Sequence, residues 1–349
     1  MSKDHGLSRR ELLARGSAAL GAPIALSAAG AVSMMSGCGG TESAARVGAC
    51  PTRSSAGELV CPVTVRDAHL SETGAADSWA ALKAVGADGA EVFVAQDLQC
   101  SYLFAPGEKF SIANAEAVRA LGKRFADADK KISAFCLGTH YDKDPDGEVA
   151  FTMKVAAAAG ELGVPAVRID VLPREIKDDK KFIKLAADVG RRLVKETAGA
   201  EVRFGVENHG RFTNHVQSLR KLLVEVDDRR FGVTLDTANF YWFGYPLSTL
   251  YELYFEFAPL ACHTHAKSIS YPPREREKQR QMGWEYGKYC CPVYEGDIDF
   301  ARVAAIFRER GFSGDLCIEN ESLGRFPAEQ RGAILKREVE HLRKALASV

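Results

Sequence analysis

Three residues able to bind metal, Glu207, Asp236 and His265, recur at an interval of 29 residues (236 − 207 and 265 − 236), each closing a short apolar, strand-like run. That interval is about one strand-plus-helix unit of a (β/α)8 barrel, whose roughly 250 residues divide among eight repeats. The strands of such a barrel all point the same way, so strand ends that recur once per unit converge on one mouth. A fourth acid, Glu319, ends the last such run, Asp315-Leu-Cys-Ile-Glu319. Two Glu, one Asp and one His at one face make an oxygen-rich, one-nitrogen donor set suited to one divalent ion, Mn2+ first and Co2+, Mg2+ or Zn2+ as alternatives.

Alternation between strand-like and helical periods runs through the rest of the chain. Strands are expected at Val63–His69, Ala90–Val94, Lys131–Leu137, Ala166–Val171, Val202–Val206, Gly232–Leu235, Cys262–Ala266 and Leu316–Ile318. Helices are expected at Ser78–Val85, Asn114–Asp129, Glu148–Leu162, Lys181–Lys195, Val216–Val226, Leu247–Phe257, Phe300–Arg310 and Ala328–Leu346. Eight rounds of strand and helix argue for an α/β chain closed into a TIM barrel. A doubly wound open sheet usually carries a glycine-rich phosphate turn after its first strand, and Val63-Thr-Val-Arg-Asp-Ala-His69 has none. The chain also lacks GxxxxGK[ST] and GxSxG, which removes support for nucleotide cofactors and serine hydrolysis.

Residues 1–37 read as an address. Ser8-Arg9-Arg10-Glu11-Leu12-Leu13 carries the twin arginine of a folded-protein export signal, and an Ala/Gly-rich apolar stretch follows to Met35. Met35-Ser36-Gly37-Cys38 has the form of a lipoprotein cleavage box that leaves Cys38 as the lipidated first residue. A transmembrane anchor fits less well, because the weakly apolar run barely reaches the roughly 20 residues a span requires. Residues 38–60 are small and polar, as suits a lipid-attached flexible linker, and residues 61–349 remain for the barrel. The expected location is the periplasm or cell surface, with membrane attachment through the lipid alone.

Lys plus Arg and Asp plus Glu number 46 each and are interspersed, so no basic face invites nucleic acid. Of the 9 cysteines, Cys136, Cys262 and Cys317 lie inside apolar runs, where a thiol serves as a small hydrophobe. Cys50, Cys61 and the adjacent Cys290 and Cys291 lie in loop-like segments where an exported protein can form disulfides, in a pairing that spacing does not reveal. There is no CxxC spacing to suggest a cysteine-rich metal site.

The wording of the strand ends adds to their spacing. Phe204-Gly-Val-Glu207-Asn208-His209-Gly210, Val233-Thr-Leu-Asp236-Thr237-Ala238-Asn239-Phe240, His263-Thr-His265-Ala-Lys267 and Cys317-Ile-Glu319-Asn resemble the xylose-isomerase-like barrels, as does Glu295-Gly-Asp297-Ile-Asp299-Phe300. That group contains sugar isomerases, ketose 3-epimerases, inosose dehydratases and related apurinic endonucleases. The resemblance covers Ala90 to Glu319 and implies that Glu207, Asp236, His265 and Glu319 together bind one metal. It also implies that Glu207 and Glu319 are the catalytic acid and base, moving a proton next to a sugar carbonyl through a metal-stabilised enediolate. Return of the proton to the other face or carbon epimerises or isomerises; loss of a β-substituent eliminates. The family pattern places the ligand at His265 rather than His263, although alternation puts both on one side of the strand.

Plainer roles compete at each position. A carboxylate at a strand end can cap the next helix, as Asp236 could with Thr237, and a lone His is often simply hydrogen-bonded; the joint placement of four outweighs this. His69, His140, His209, Asn239 and Lys267 are candidate substrate contacts, with Asn208 beside them, each weighed evenly against ordinary hydrogen bonding. Phe240-Tyr241-Trp242-Phe243 offers a stacking wall for a sugar, with helix packing favoured over it. Glu321 points with Glu319 only if the strand continues. The endonuclease branch has a His where Asn239 stands and an Asp-x-His where Asp297-Ile-Asp299 stands, which favours one metal over three. The long insertion Ser268 to Glu295, with Trp284 and Tyr286, reads as a lid.

The expectation is a metal-dependent isomerase or epimerase of a small sugar or keto-sugar. A lyase or dehydratase of keto-sugars or 3-keto-glycosides comes second, a non-catalytic sugar-binding lipoprotein third and an endonuclease-like phosphodiesterase last. Substrate identity and a homo-oligomer are left open.

Overall fold

Eight parallel strands form one sheet in the order β10-β1-β2-β3-β4-β5-β6-β7. They are β1 Val63–Arg66, β2 Gly89–Val94, β3 Lys131–Leu137, β4 Ala166–Ile169, β5 Arg203–Glu207, β6 Phe231–Asp236, β7 Ala261–His265 and β10 Leu316–Ile318. Between the last two, β8 Ser268–Ile269 and β9 Cys290–Cys291 pair antiparallel in a separate ribbon. β10 pairs with β1 on one side and meets β7 through the parallel bridge Ala266↔Ile318 on the other, so the ring closes. This computed structural model describes residues 61–349; the twin-arginine segment, Cys38, Cys50 and the linker lie outside the described residues.

Each barrel strand is followed by a main helix: Ser78–Val85, Ala115–Asp127, Pro145–Leu162, Asp179–Glu196, Val216–Val226, Leu247–Phe257, Phe300–Glu309 and Ala328–Ala347. Five of these start on a side-chain cap, from Asp77, Asn114, Asp144, Asp178 and Asp299, each accepting a backbone N–H two or three residues on. Such a cap is worth about 1 kcal/mol, because it satisfies a donor the first helical turn leaves open. The Asp144 cap and Pro145 at the first turn start the third helix three residues before apolar periodicity alone places it. One apolar cluster joins the sheet to the helices around it.

The first strand is shorter than expected. It ends at Arg66, and Asp67–Thr73 turns as a 3-10 helix. Asp67 is buried and accepts the Phe93 N–H at 2.9 Å, tying the turn to β2 and moving His69 off the strand. The Phe240–Phe243 run forms most of a short helix, Asn239–Phe243. Phe240 there stacks on Phe257 at 6.0 Å, the packing role favoured for this run. The seven described cysteines are all free, so no disulfide involves Cys61, Cys290 or Cys291 within the described residues.

The Gly296-Asp297-Ile-Asp299 run has a local physical account. A Cβ on Gly296 would lie 1.9 Å from the Ser268 hydroxyl, so only glycine lets this segment pass β8. Asp297 accepts from the Tyr241 hydroxyl and the Tyr271 N–H at 2.9 and 2.8 Å and pairs with Arg276, fastening the insertion to the barrel. Asp299 caps the helix that follows.

Candidate metal centre at the barrel mouth

Glu207 and Asp236 are the last residues of β5 and β6, His265 is the last of β7, and Glu319 follows β10 directly. All four are buried, and one ligand atom from each lies within 4.8 Å of the others. Donors that bond one ion at about 2.1 Å lie at most about 4.2 Å apart, so the set is within reach of a single ion once it closes on it. Asp236 gives the clearest sign of fit. Its Oδ1 accepts from the Ala238 and Asn239 N–H groups, while Oδ2 is buried without a hydrogen bond. That oxygen does lie 3.0 Å from the Lys267 ammonium, an ion pair without hydrogen-bond alignment.

Cations surround the carboxylates. Arg168 on β4 pairs with Glu207, Arg66 on β1 pairs with Glu319, and Lys267 Nζ lies 2.9 Å from Glu319 Oε2 and 3.0 Å from Glu321 Oε1. Burial alone would raise the Glu207 carboxyl, but Arg168 and then His265 hold it below the ordinary carboxylate range. Burial is likewise overcome at Glu319, by Lys267, His265 and Arg66. Asp236 differs: burial pushes it up to about 7 against the pull of Lys267, with Glu319 and Glu207 adding to the rise. Three acids with one imidazole suit a hard or borderline divalent ion. Lys267, Arg66 and Arg168 match the three carboxylates in number.

The sequence candidates divide into two groups. Asn239 donates to Glu207 Oε1 at 3.3 Å, Lys267 touches two of the three acids, Asp236 and Glu319, and His209 sits 3.8 Å from Glu207 with its Nδ1 2.9 Å from Asp170 Oδ2. These three are at the centre. His69 accepts the Asn320 N–H on Nε2, and burial followed by Arg66 lowers it to about 4, so it is neutral and serves the loop after Glu319. His140 has its Nδ1 3.5 Å from Arg174 and its N–H on Glu148, apart from the four. Asn208 bonds the Asp236 backbone on both sides and laces β5 to β6. Glu321 joins the centre through Lys267 and accepts the Tyr286 hydroxyl at 2.5 Å, so the insertion reaches the site by a chain of contacts. A cleft of about 430 Å3 bordered by Asp297, Phe300 and His341 lies elsewhere, and Glu207, Asp236, His265 and Glu319 do not line it.

Sequence reasoning missed Glu91, Arg66 and Arg168 as parts of the site. Glu91 on β2 meets His263 and His265 on β7, strands that are not neighbours, so the contact crosses the inside of the ring. His263 lies with Glu91 and Asp315 and not in the group of four, which separates it from His265. The barrel interior is therefore ionic where branched apolar layers are usual. The available signal was a charged residue within each of three apolar strand runs.

The chain matches the sequence profile described as xylose isomerase-like TIM barrel over residues 79–345. It belongs to that family. No curated protein matches. Solved structures of similar fold include the IOLI protein with a zinc atom, at TM-score 0.62 and 18% identity, covering 81% of this chain and 98% of that one. An L-ribulose 3-epimerase aligns at TM-score 0.57 and 13% identity over 83% and 95% of the two chains. Mannonate dehydratase from Streptococcus suis serotype2 aligns at TM-score 0.54 and 11% identity over 76% and 89%. At these identities the likeness establishes the fold.

Proposed function

We propose that this family member is a divalent-metal-dependent isomerase or epimerase of a sugar or keto-sugar. The observation that carries the reading is the buried group Glu207, Asp236, His265 and Glu319, with donors within 4.8 Å at the end of four parallel strands. These residues would hold the ion, which when bound supplies Lewis acidity that polarises a sugar carbonyl and acidifies the neighbouring C–H. Side chains do the rest. Glu207 and Glu319 serve as the acid and base that take the proton and return it, a contribution of roughly 10^2- to 10^4-fold. Arg168 and Arg66 keep them ionised, while Lys267 and Asn239 are placed to bind substrate oxygens.

A lyase or dehydratase of keto-sugars or 3-keto-glycosides is the second reading, because it shares the proton abstraction. The observation favouring it is His209, partly exposed beside Glu207 and oriented by Asp170, a placement that suits an acid for a departing group. From its first 38 residues we further infer that the protein is exported by the twin-arginine route and held at the membrane through lipidated Cys38.

The test is the metal content of the purified protein beside Glu207→Gln and His265→Ala, followed by incubation of keto-sugars in deuterated water. One divalent ion lost in both variants, with deuterium entering next to the carbonyl, supports the reading. Product lacking one water or one aglycone selects the lyase, and sugar bound equally well with no metal would sink both.

A further inference from the structure

Glu91 is the single charged residue of β2, and it is buried at the centre of the ring. Its Oε2 accepts from His263 Nε2 and from His265 Nε2, each at 2.7 Å, while Oε1 lies 2.9 Å from Arg66 Nε. His263 is held at its other nitrogen by Asp315 Oδ1 at 2.7 Å, and the second Asp315 oxygen accepts the Thr64 hydroxyl at 2.5 Å. A chain Asp315–His263–Glu91–His265 thus crosses the barrel from below the mouth up to the proposed centre. The register shift between β2 and β3 falls between Ala90 and Glu91, where an irregularity of this kind re-aims a side chain. With Nε2 engaged, His265 turns Nδ1 toward Glu207 Oε1 at 3.0 Å and Glu319 Oε2 at 3.3 Å.

We propose that Glu91 is a positioning residue, which fixes the His265 ring so that Nδ1 is the nitrogen offered to a metal ion, with His263 and Asp315 holding Glu91 in turn. Its link to metal rests on the reading given above; the ring orientation does not. The physical cause is general. A carboxylate on the far nitrogen of a ligating imidazole selects its tautomer, fixes its plane and makes it more basic, and removing such a partner typically lowers metal affinity 10- to 100-fold. Glu91 serves two imidazoles with one oxygen, so the same anion also joins the layer below to the mouth.

The experiment pairs imidazole 1H–15N spectra, recorded on the metal-free protein and with Zn2+ added, with zinc affinities for wild type and Glu91→Leu. Expected are a slowly exchanging Nε2–H on His265, a zinc-induced shift at Nδ1, and in the variant a freely exchanging Nε2–H with affinity down 10- to 100-fold. Glu91→Gln, which keeps one acceptor oxygen and the volume, carries the same comparison if the leucine variant fails to fold, with a fall nearer tenfold. Zinc shifting Nε2, or a folded variant that keeps both the wild-type exchange and affinity, overturns the proposal. If wild type takes up no zinc but its Nε2–H is protected and the variant loses that protection, the positioning role stands and the metal-dependent function falls.

Discussion

Asp236 divides its two oxygens between structure and site. Oδ1 caps the turn after β6 through the Ala238 and Asn239 N–H groups at 2.7 and 2.8 Å, and Oδ2 faces Lys267 without an aligned hydrogen bond. The plain capping role of this residue holds, and it leaves Oδ2 for the metal proposed above. Asp236→Asn keeps an acceptor for the cap and removes the charge, so the variant is expected to fold while binding a divalent ion at least tenfold more weakly. Competition against a chromophoric chelator measures this; an unchanged affinity would show that the residue only caps. Lys267 lets the acids share one buried site: its ammonium lies within 3.0 Å of Asp236, Glu319 and Glu321. A bare cluster of buried carboxylates would be strongly disfavoured.

At the scale of elements, the insertion and the last helix converge behind the mouth. Within the insertion, Arg280 is sandwiched between Tyr241 and Tyr271 at 4.5 and 4.4 Å and donates to backbone carbonyls on both sides, giving a polar segment a packed centre. Where it rejoins the barrel, Val293 N–H donates to Glu338 Oε1, and Asn320, next to Glu319, donates to Glu338 Oε2, both at 2.9 Å. Burial pushes the Glu338 carboxyl up to about 7, against these two donors. The unfolded value is about 4.3, so the native state holds this proton more tightly. Its contribution to stability is complete below about pH 4.3 and is lost as pH rises through about 7. Denaturant unfolding of wild type and Glu338→Gln should therefore give a stability difference that shifts against wild type between pH 5 and pH 8. A difference independent of pH would mean that Glu338 stays ionised throughout.

For the whole molecule, a ligand that binds only the folded state stabilises it by mass action, by about 2.7 kcal/mol at 100 times its dissociation constant. For a domain of this size Mn2+ or Co2+ should raise Tm by on the order of 5 °C. Chelation should reverse the rise and Glu207→Gln abolish it; equal shifts in wild type and variant would place the binding elsewhere. Among the described residues no helix is long and apolar enough to cross a membrane, so nothing in the barrel supplies an anchor of that kind. The 29-residue interval by itself determined that Glu207, Asp236 and His265 share one mouth, because parallel strands one repeat apart must end on the same face. The strand alternation determined the eight-membered ring, and the family wording chose His265 over His263. Only the tertiary structure decided how deep each side chain sits and what it meets across the ring. Glu91 joins His265, Arg66 joins Glu319 and His69 is held by the Asn320 backbone, through contacts made when the sheet closes on itself. Periodicity is local and fixes which face a residue shares, whereas closure of the barrel is non-local and selects its partners.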